Sequence, residues 1–255
     1  MAETASSLCT TCLEEASLCL ACGRPATGES FSFDGSGAYC EQCCLTRSPY
    51  NICNAPLTDS RWQLSDGRIT CANCHTSAVY RADQAAEIYK EIIYVAREQL
   101  GFELSVPTGL ALVDQDQMRE VIRLQLVDIV DDRRGTSESS ELDPGKTLGV
   151  YARRGMRRGI YIQTGLPRKL FLQVAAHEYA HAWQGENCPI LHDRLLYEGF
   201  AEWVAYHVIG RFGYPDSQRM MKTREDIYGE GLKWALQVEA AQGVGSVIET
   251  CRSTR

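Results

Sequence analysis

Apolar residues recur at helical spacing along most of the chain after residue 78. In the segment 79–101, Ile88, Ile92 and Leu100 fall on one face, which predicts a long amphipathic helix. Further helices are predicted over 115–126, 170–181, 195–209 and 218–251, the last interrupted at 228–231. Strands are predicted over 109–113, 148–153 and 158–163. The polar segment 131–146 is predicted to be a loop, and 154–157 a hairpin turn.

The segment before residue 78 lacks this helical spacing of apolar residues and is rich in cysteine. Ten of the 12 cysteines lie before residue 75, and eight of these form four Cys-x-x-Cys pairs, which indicate metal binding in a reducing compartment. The predicted fold class is α+β, with a zinc-binding module of short hairpins over 1–77 and a mostly helical domain with a small sheet over 78–255. The helix 79–101 joins the two domains. Cys188 and Cys251 stand alone in the sequence and are predicted to be packing residues.

The cysteines of the first domain repeat with a period of 31 residues. The pair Cys9 and Cys12 recurs at 40 and 43, and again at 71 and 74. One complete unit has the spacing of a closed tetrahedral zinc site, with the ligands Cys19, Cys22, Cys40 and Cys43. Cys9 and Cys12 are either the closing pair of an incomplete earlier unit or the partners of Cys19 and Cys22. Spacing does not decide between these alternatives.

The next unit lacks one of the four expected cysteines. Three ligands of a second structural zinc are predicted at Cys53, Cys71 and Cys74. The period puts the fourth at Tyr50, and either Cys44 or His75 could substitute for the missing cysteine. Cys44 is favoured because His75 directly follows Cys74, which leaves it little freedom to reach the same metal ion.

Two histidines and a glutamate on the helix that begins near residue 170 predict a third metal site. His177 and His181 are separated by one helical turn and therefore face the same side, with Glu178 on the neighbouring strip. The apolar residues before them place this helix in the interior, where unpaired histidines would be costly. Two histidines and a third carboxylate ligand leave one coordination position of a zinc ion open for water, the arrangement of zinc peptidases.

The helix over 195–209 offers that third ligand. Glu198 is the predicted ligand, and Glu202, one turn later, is predicted to orient a ligand histidine. Glu178 is then the predicted general base. Tyr228 is a candidate to stabilise the oxyanion of the reaction, with a packing tyrosine as the alternative.

Charge and targeting signals exclude several classes of partner. The net charge of −7 gives no reason to expect nucleic acid or an anionic membrane surface as a partner. The N-terminus has neither a basic start nor an apolar run, so no signal peptide is predicted. No stretch approaches the roughly 18 apolar residues of a membrane span. A cytoplasmic protein is expected.

These motifs together resemble the DA-one and DA-one-related family, the LIM-domain zinc peptidases best known from plants. The matching segments are 64–74, 77–79, 164–167, 176–183 and 198–199. The resemblance implies a gluzincin-type endopeptidase, with LIM-like fingers and with ubiquitin-pathway proteins among its partners. The chain departs from the LIM-like pattern at Tyr50, where a cysteine is usual, and at Cys40, where histidine is common.

The predicted function is hydrolysis of peptide bonds in intracellular proteins, with one catalytic and about two structural zinc ions as cofactors. The fingers would recruit protein or peptide substrates or inhibit the enzyme. The alternative is an idle zinc-finger scaffold that only binds other proteins. The presence of Glu178 favours the enzyme, because an idle site has no need of a base.

Overall fold

A computed structural model of the chain describes residues 17–26, 28–33, 37–131, 146–154, 157–188 and 193–254. Within these residues the fold is α+β, with nine α-helices and small sheets. The chain divides into two units, Met1–Ala78 and Val79–Arg255. The predictions for Cys9, Cys12, most of 131–146 and the centre of the turn 154–157 lie outside the described residues.

The first unit contains one arrangement twice, a two-stranded antiparallel hairpin followed by a short helix. The first copy consists of β1 (Ser30–Phe31), β2 (Tyr39–Cys40) and α1 (Glu41–Thr46). The second consists of β3 (Trp62–Gln63), β4 (Ile69–Thr70) and α2 (Ala72–Thr76). The pair Phe31↔Tyr39 of the first hairpin corresponds to Trp62↔Thr70 of the second. The period of 31 residues therefore extends from the sequence to the strand register.

The tight turn ahead of each hairpin is repeated as well. The carbonyl of Cys19 accepts a hydrogen bond from the N–H of Gly23, and the carbonyl of Tyr50 accepts one from Asn54. Gly23 has φ 72° and Asn54 has φ 59°. Both lie in the left-handed region, which glycine enters without strain and asparagine tolerates better than most residues. The turn thus keeps its backbone although Tyr50 replaces a cysteine.

The boundary between the two units falls within the strand β5 (Ala78–Val79). The first helix of the second unit is α3 (Ala82–Val95). The next elements are a π-helical turn (Ala96–Leu100), β6 (Gly109–Val113), α4 (Gln115–Asp131), β7 (Gly149–Arg154), β8 (Arg157–Gln163) and β9 (Leu166–Pro167). Five helices complete it: α5 (Arg168–Asn187), α6 (Arg194–Arg211), α7 (Pro215–Thr223), α8 (Ile227–Gln242) and α9 (Val244–Ser253).

The helix predicted over 79–101 is confirmed with a later start. Its core face is buried, with Ile88 and Ile92 at most 1% exposed. The π-helical turn ends at Gly101, whose φ of 76° provides a left-handed cap. Val79 belongs to a strand instead, because its carbonyl accepts a hydrogen bond from the N–H of Gly165 at 2.9 Å.

β8 lies in the middle of the three-stranded sheet, parallel to β6 and antiparallel to β7. The N–H of Gln163 donates to the carbonyl of Leu148. Hydrogen-bonding direction alternates along an antiparallel strand. The backbone groups of Gly149, Tyr151 and Arg153 therefore point away from β8, towards the outer edge of this sheet.

α5 and α6 lie at the centre of the second unit. Their contact is filled by aromatic side chains, with the rings of Trp183 and Phe200 stacked at 5.2 Å between centroids and Phe102 against both. These side chains are nearly inaccessible to solvent, which agrees with the predicted burial of the α5 helix. Among the described helices, none has the length and apolar run that crossing a membrane requires.

α6 and α8 approach each other through two glycines. A Cβ atom on Gly199 would lie 2.6 Å from the carbonyl oxygen of Gly231, and one on Gly231 would lie 2.5 Å from the Cα of Gly199. Both distances are far below van der Waals contact, and both neighbours are backbone. The close approach brings the start of α8 next to Glu198.

The interruption predicted at 228–231 is wrong, since α8 begins at Ile227 and continues through these residues. The side chain of Asp226 caps the helix by accepting a hydrogen bond from the N–H of Gly229 at 3.0 Å. The glycines are used for close packing: a Cβ on Gly229 would lie 2.3 Å from the carbonyl oxygen of Arg224.

Replacing Gly231 by alanine should therefore destabilise the protein. We expect Gly231→Ala to lower the free energy of unfolding by about 1–3 kcal/mol, because the added methyl group forces α6 and α8 apart. Urea denaturation followed by circular dichroism measures this change. Gly245→Ala in helix α9 is the matched control, since its added Cβ would have no atom within 4 Å apart from its chain neighbours and its own helix backbone. Equal stability of the two variants would contradict the close approach.

Candidate metal centres

The four cysteines predicted to form the first structural site lie together. One ligand atom from each of four residues falls within 4.8 Å of the others: Cys19, Cys22, Cys40 and Cys43. The Sγ atoms of Cys22 and Cys40 are 3.9 Å apart, and the N–H of Cys40 donates to Cys19 Sγ at 3.3 Å. Four thiols in this arrangement could hold a metal ion, and zinc is compatible with an all-sulfur set.

The charge state of these thiols suits a cation. A hydrogen bond from Arg24 lowers the pKa of Cys22 to about 6, which favours the thiolate that binds metals. Burial raises the pKa of Cys43 to about 12, with contributions from the other cysteines. A metal ion among the four sulfurs would offset their mutual repulsion and release the remaining protons.

The second cluster contains only three cysteines among the described residues, Cys53, Cys71 and Cys74. The Sγ atoms of Cys53 and Cys71 are 3.8 Å apart, the counterpart of the Cys22–Cys40 pair one period earlier. Cys44, the predicted fourth ligand, lies outside this group of three. Cys43 and Cys44 are consecutive on α1 and point about 100° apart, and Cys43 is the one that enters the first cluster.

The other candidate, His75, also stays outside the second cluster. Its ring stacks on Trp62, with the centroids 5.2 Å apart and the planes inclined by 11°. Tyr50 occupies the vacated cysteine position and is 0% exposed. Its hydroxyl lies 2.8 Å from Thr58 Oγ1 and donates to the carbonyl of Ser60 at 2.7 Å. Hydrogen bonds thus tie together a turn that a metal–sulfur bond would otherwise hold.

In the second unit, α5 and α6 bring the three predicted ligands of the remaining site together. His177 Nε2 and His181 Nε2 are 2.9 Å apart. Glu198 Oε2 lies 3.2 Å from the first nitrogen and 3.5 Å from the second. A tetrahedral zinc ion with bonds of about 2.0–2.1 Å needs ligand atoms about 3.4 Å apart. The spacing of the three atoms therefore suits a zinc-sized ion.

An unsatisfied buried atom supports the same assignment. Glu198 Oε2 is inaccessible to solvent and has no hydrogen bond, although it faces both histidine nitrogens. Burying an ionised carboxylate oxygen without a hydrogen bond is costly. A cation shared with the two histidines would satisfy it.

The electrostatic field at this site also favours a cation. Burial alone would lower the pKa of His181, but the carboxylate of Glu198 outweighs it and raises the pKa to about 9. Burial would raise the pKa of Glu198, but His177 and His181 lower it well below its usual range. The three groups thus form a negative pocket that holds a proton when no other cation replaces it.

Glu178 lies beside the cluster and is held by the sheet. Its Oε2 accepts a hydrogen bond from the backbone N–H of Tyr151, on the outer edge of β7, at 2.7 Å. This bond fixes the orientation of the carboxylate and leaves Oε1 as the oxygen to exchange a proton. Gly149, on the same strand, allows the approach, because a Cβ there would lie 3.0 Å from Glu178 Cγ and 2.4 Å from Val174.

Glu202 and Tyr228 also lie next to the cluster. Glu202 Oε1 is 3.8 Å from His177 Nδ1, which is beyond hydrogen-bond distance, and it accepts a bond from Arg224 at 3.2 Å. The centroid of the Tyr228 ring is 5.9 Å from that of the His177 ring. The guanidinium of Arg224 lies over the Tyr228 ring, 4.8 Å from its centroid. Burial raises the pKa of Tyr228, and Glu198 adds to this, so its hydroxyl remains a hydrogen-bond donor.

Sequence reasoning missed two residues that hold His181. Gln184 Oε1 lies 2.8 Å from His181 Nδ1, and the Gln184 side chain is almost fully buried. The ring of Tyr197 stacks on the imidazole at 4.4 Å between centroids. Gln184 follows His181 by three residues on one helix, so helical spacing could have revealed it. The orientation of His181 therefore depends on Gln184, whereas Glu202 lies nearer to His177.

Comparisons of the chain with models of protein families, with curated proteins and with solved structures found no match. The resemblance to the DA-one family therefore remains a prediction, and the chemistry of the site rests on its own residues.

Proposed function

We propose that the protein is a zinc-dependent endopeptidase of the gluzincin type. One observation carries the proposal: three ligand atoms from His177, His181 and Glu198 converge within 3.5 Å of one another, beside the carboxylate of Glu178. Two histidines and one carboxylate are a ligand set typical of catalytic zinc, and they leave a coordination position open.

Each side chain then has a chemical role. Zinc in such a site acidifies a water molecule and polarises a carbonyl oxygen. Glu178 takes up the proton of the attacking water on Oε1 and returns it to the leaving amine. Tyr228 donates a hydrogen bond to the oxyanion. Gln184 keeps His181 in the tautomer that presents Nε2 to the metal.

The substrate class follows from the edge of β7. The outward backbone groups of Gly149 and Arg153 are placed to pair with an extended peptide, and between them the N–H of Tyr151 donates to the proposed base. A peptide added to this edge would have its backbone next to Glu178. Extended segments of proteins are therefore the proposed substrates, and the family resemblance points to proteins of the ubiquitin pathway. The cysteine clusters of the first unit would recruit substrates or inhibit cleavage.

The direct test is cleavage of an unfolded, alkylated protein and of a random peptide library by the purified full-length protein. New N-termini are mapped by mass spectrometry. We expect cleavage that a zinc chelator stops and that added zinc restores. A protein that contains zinc in the second unit but cuts neither substrate would instead be the idle scaffold that binds proteins without cleaving them.

A further inference from the structure

Two cysteines predicted to be separate packing residues contact each other in the second unit. Cys188 is the residue that ends α5, and Cys251 lies on α9. Their Sγ atoms are 3.3 Å apart although 63 positions separate them in the chain. Cys251 is 1% exposed, whereas Cys188 is only partly buried. A small molecule from the solvent can therefore reach the pair from the side of Cys188.

One side chain connects this pair with the candidate metal site. The Nε2 of Gln184 donates to Cys251 Sγ at 3.5 Å and to the carbonyl of Tyr197 at 2.9 Å. The Oε1 of the same amide lies 2.8 Å from His181 Nδ1. A chemical change at Cys251 therefore acts on the residue that orients a metal ligand.

We propose that Cys188 and Cys251 are a site of reversible oxidation by hydroperoxides, where a disulfide bond fastens α9 to the end of α5. The thiolate of one cysteine attacks the peroxide, an S–O bond forms, the O–O bond breaks, and hydroxide leaves and takes up a proton. The second thiol attacks the resulting sulfenic sulfur and displaces water. Two thiols and one hydrogen peroxide thus give one disulfide and two water molecules.

The contact between the two thiols separates their pKa values. It lowers the pKa of Cys251, and Gln184 adds to this effect although burial opposes it. The hydrogen bond with Cys251 and burial raise the pKa of Cys188, so one sulfur of the pair ionises more readily than the other. α9 is already held against α5 on the same side, because the guanidinium of Arg252 lies 5.2 Å from the ring centre of Trp183.

Closing the bond requires little movement. The sulfur atoms must approach from 3.3 Å to about 2.05 Å, a shift that rotation of both side chains can supply. The disulfide sulfur is a weaker acceptor than a thiolate, so Gln184 loses one of its partners. If the proposed function holds, oxidation should therefore lower the zinc affinity of the His181 site by up to about 10-fold.

The test treats the zinc-loaded, full-length protein with graded hydrogen peroxide, followed by alkylation and digestion without reduction. We expect a cross-linked pair of peptides that contain Cys188 and Cys251, lighter by two hydrogens than the separate thiols. The bond should raise the Tm by roughly 5–10 °C, because it closes a long loop, and dithiothreitol should reverse the rise. Cys188→Ser is the control that removes the bond and leaves the cysteine clusters of the first unit unchanged.

Two outcomes would overturn the proposal. In the first, both cysteines are alkylated as free thiols at peroxide levels that already oxidise cysteines of the first unit. In the second, Cys188→Ser shows the same rise in Tm as the unaltered chain. Neither outcome depends on peptidase activity. Disulfide formation in a protein that cleaves nothing would overturn the proposed function alone.

Discussion

Glu178→Gln should abolish peptide cleavage while the protein keeps its fold and its zinc. Glutamine has the same shape, and its carbonyl oxygen can still accept the hydrogen bond from the N–H of Tyr151. The contact between β7 and α5 is therefore kept. What it lacks is the ability to take up a proton. General acid–base catalysis contributes about 10²–10⁴-fold, so we expect the cleavage rate to fall by at least that range. The rate of cleavage of a mapped peptide measures this loss.

Glu120→Gln is the matched control for that variant. Glu120 is exposed on α4 and pairs with Arg123 on its own helix, so its loss should leave cleavage unchanged. The proposed mechanism fails if Glu178→Gln retains the activity of the Glu120→Gln control.

His177→Ala should remove one zinc ion and leave the others in place. Among the described residues, the second unit offers one site and the first unit two clusters, so we expect about three zinc ions per chain to fall to about two. Without His177, only Glu198 and His181 remain of the three ligands, and two ligands are too few to retain the ion against a chelator. Elemental analysis after mild chelation measures the content.

His207→Ala controls for the loss of any helical histidine. His207 lies on α6, like Glu198, but its Nε2 is 2.9 Å from Glu239 and it belongs to none of the three ligand groups. This variant should therefore keep its full zinc content. Equal zinc content in the His177→Ala and His207→Ala proteins would show that the ligand assignment is wrong.

The relative positions of site residues that lie on the same helix were predictable from the sequence. The distance of one turn between His177 and His181 fixes their common face whatever the surrounding fold. The position of Glu198 also followed, since an amphipathic helix must turn its apolar residues and any ligand towards the same interior. The strands of the three-stranded sheet were predicted to within one residue at each end.

The errors share a different physical origin, contact between segments far apart in the chain. Gly231 looks like a helix breaker, but it is required where α8 packs against the backbone of α6, and only the fold reveals that neighbour. Cys188 and Cys251 seemed isolated because sequence separation says nothing about which helices meet. Cys44 was predicted as a ligand from spacing alone, and it lies outside the group formed by Cys53, Cys71 and Cys74.

The two copies in the first unit differ in what holds them, and this difference bears on their history. A duplicated finger that loses one ligand normally unfolds, since the metal supplies most of the folding energy of so small a unit. Here the hydroxyl of Tyr50 bonds to Thr58 and Ser60 inside a turn whose backbone matches that of the intact copy. If zinc binds both clusters, the second copy should depend less on its ion than the first, and under a rising concentration of chelator it should give up zinc first yet keep its hairpin longest.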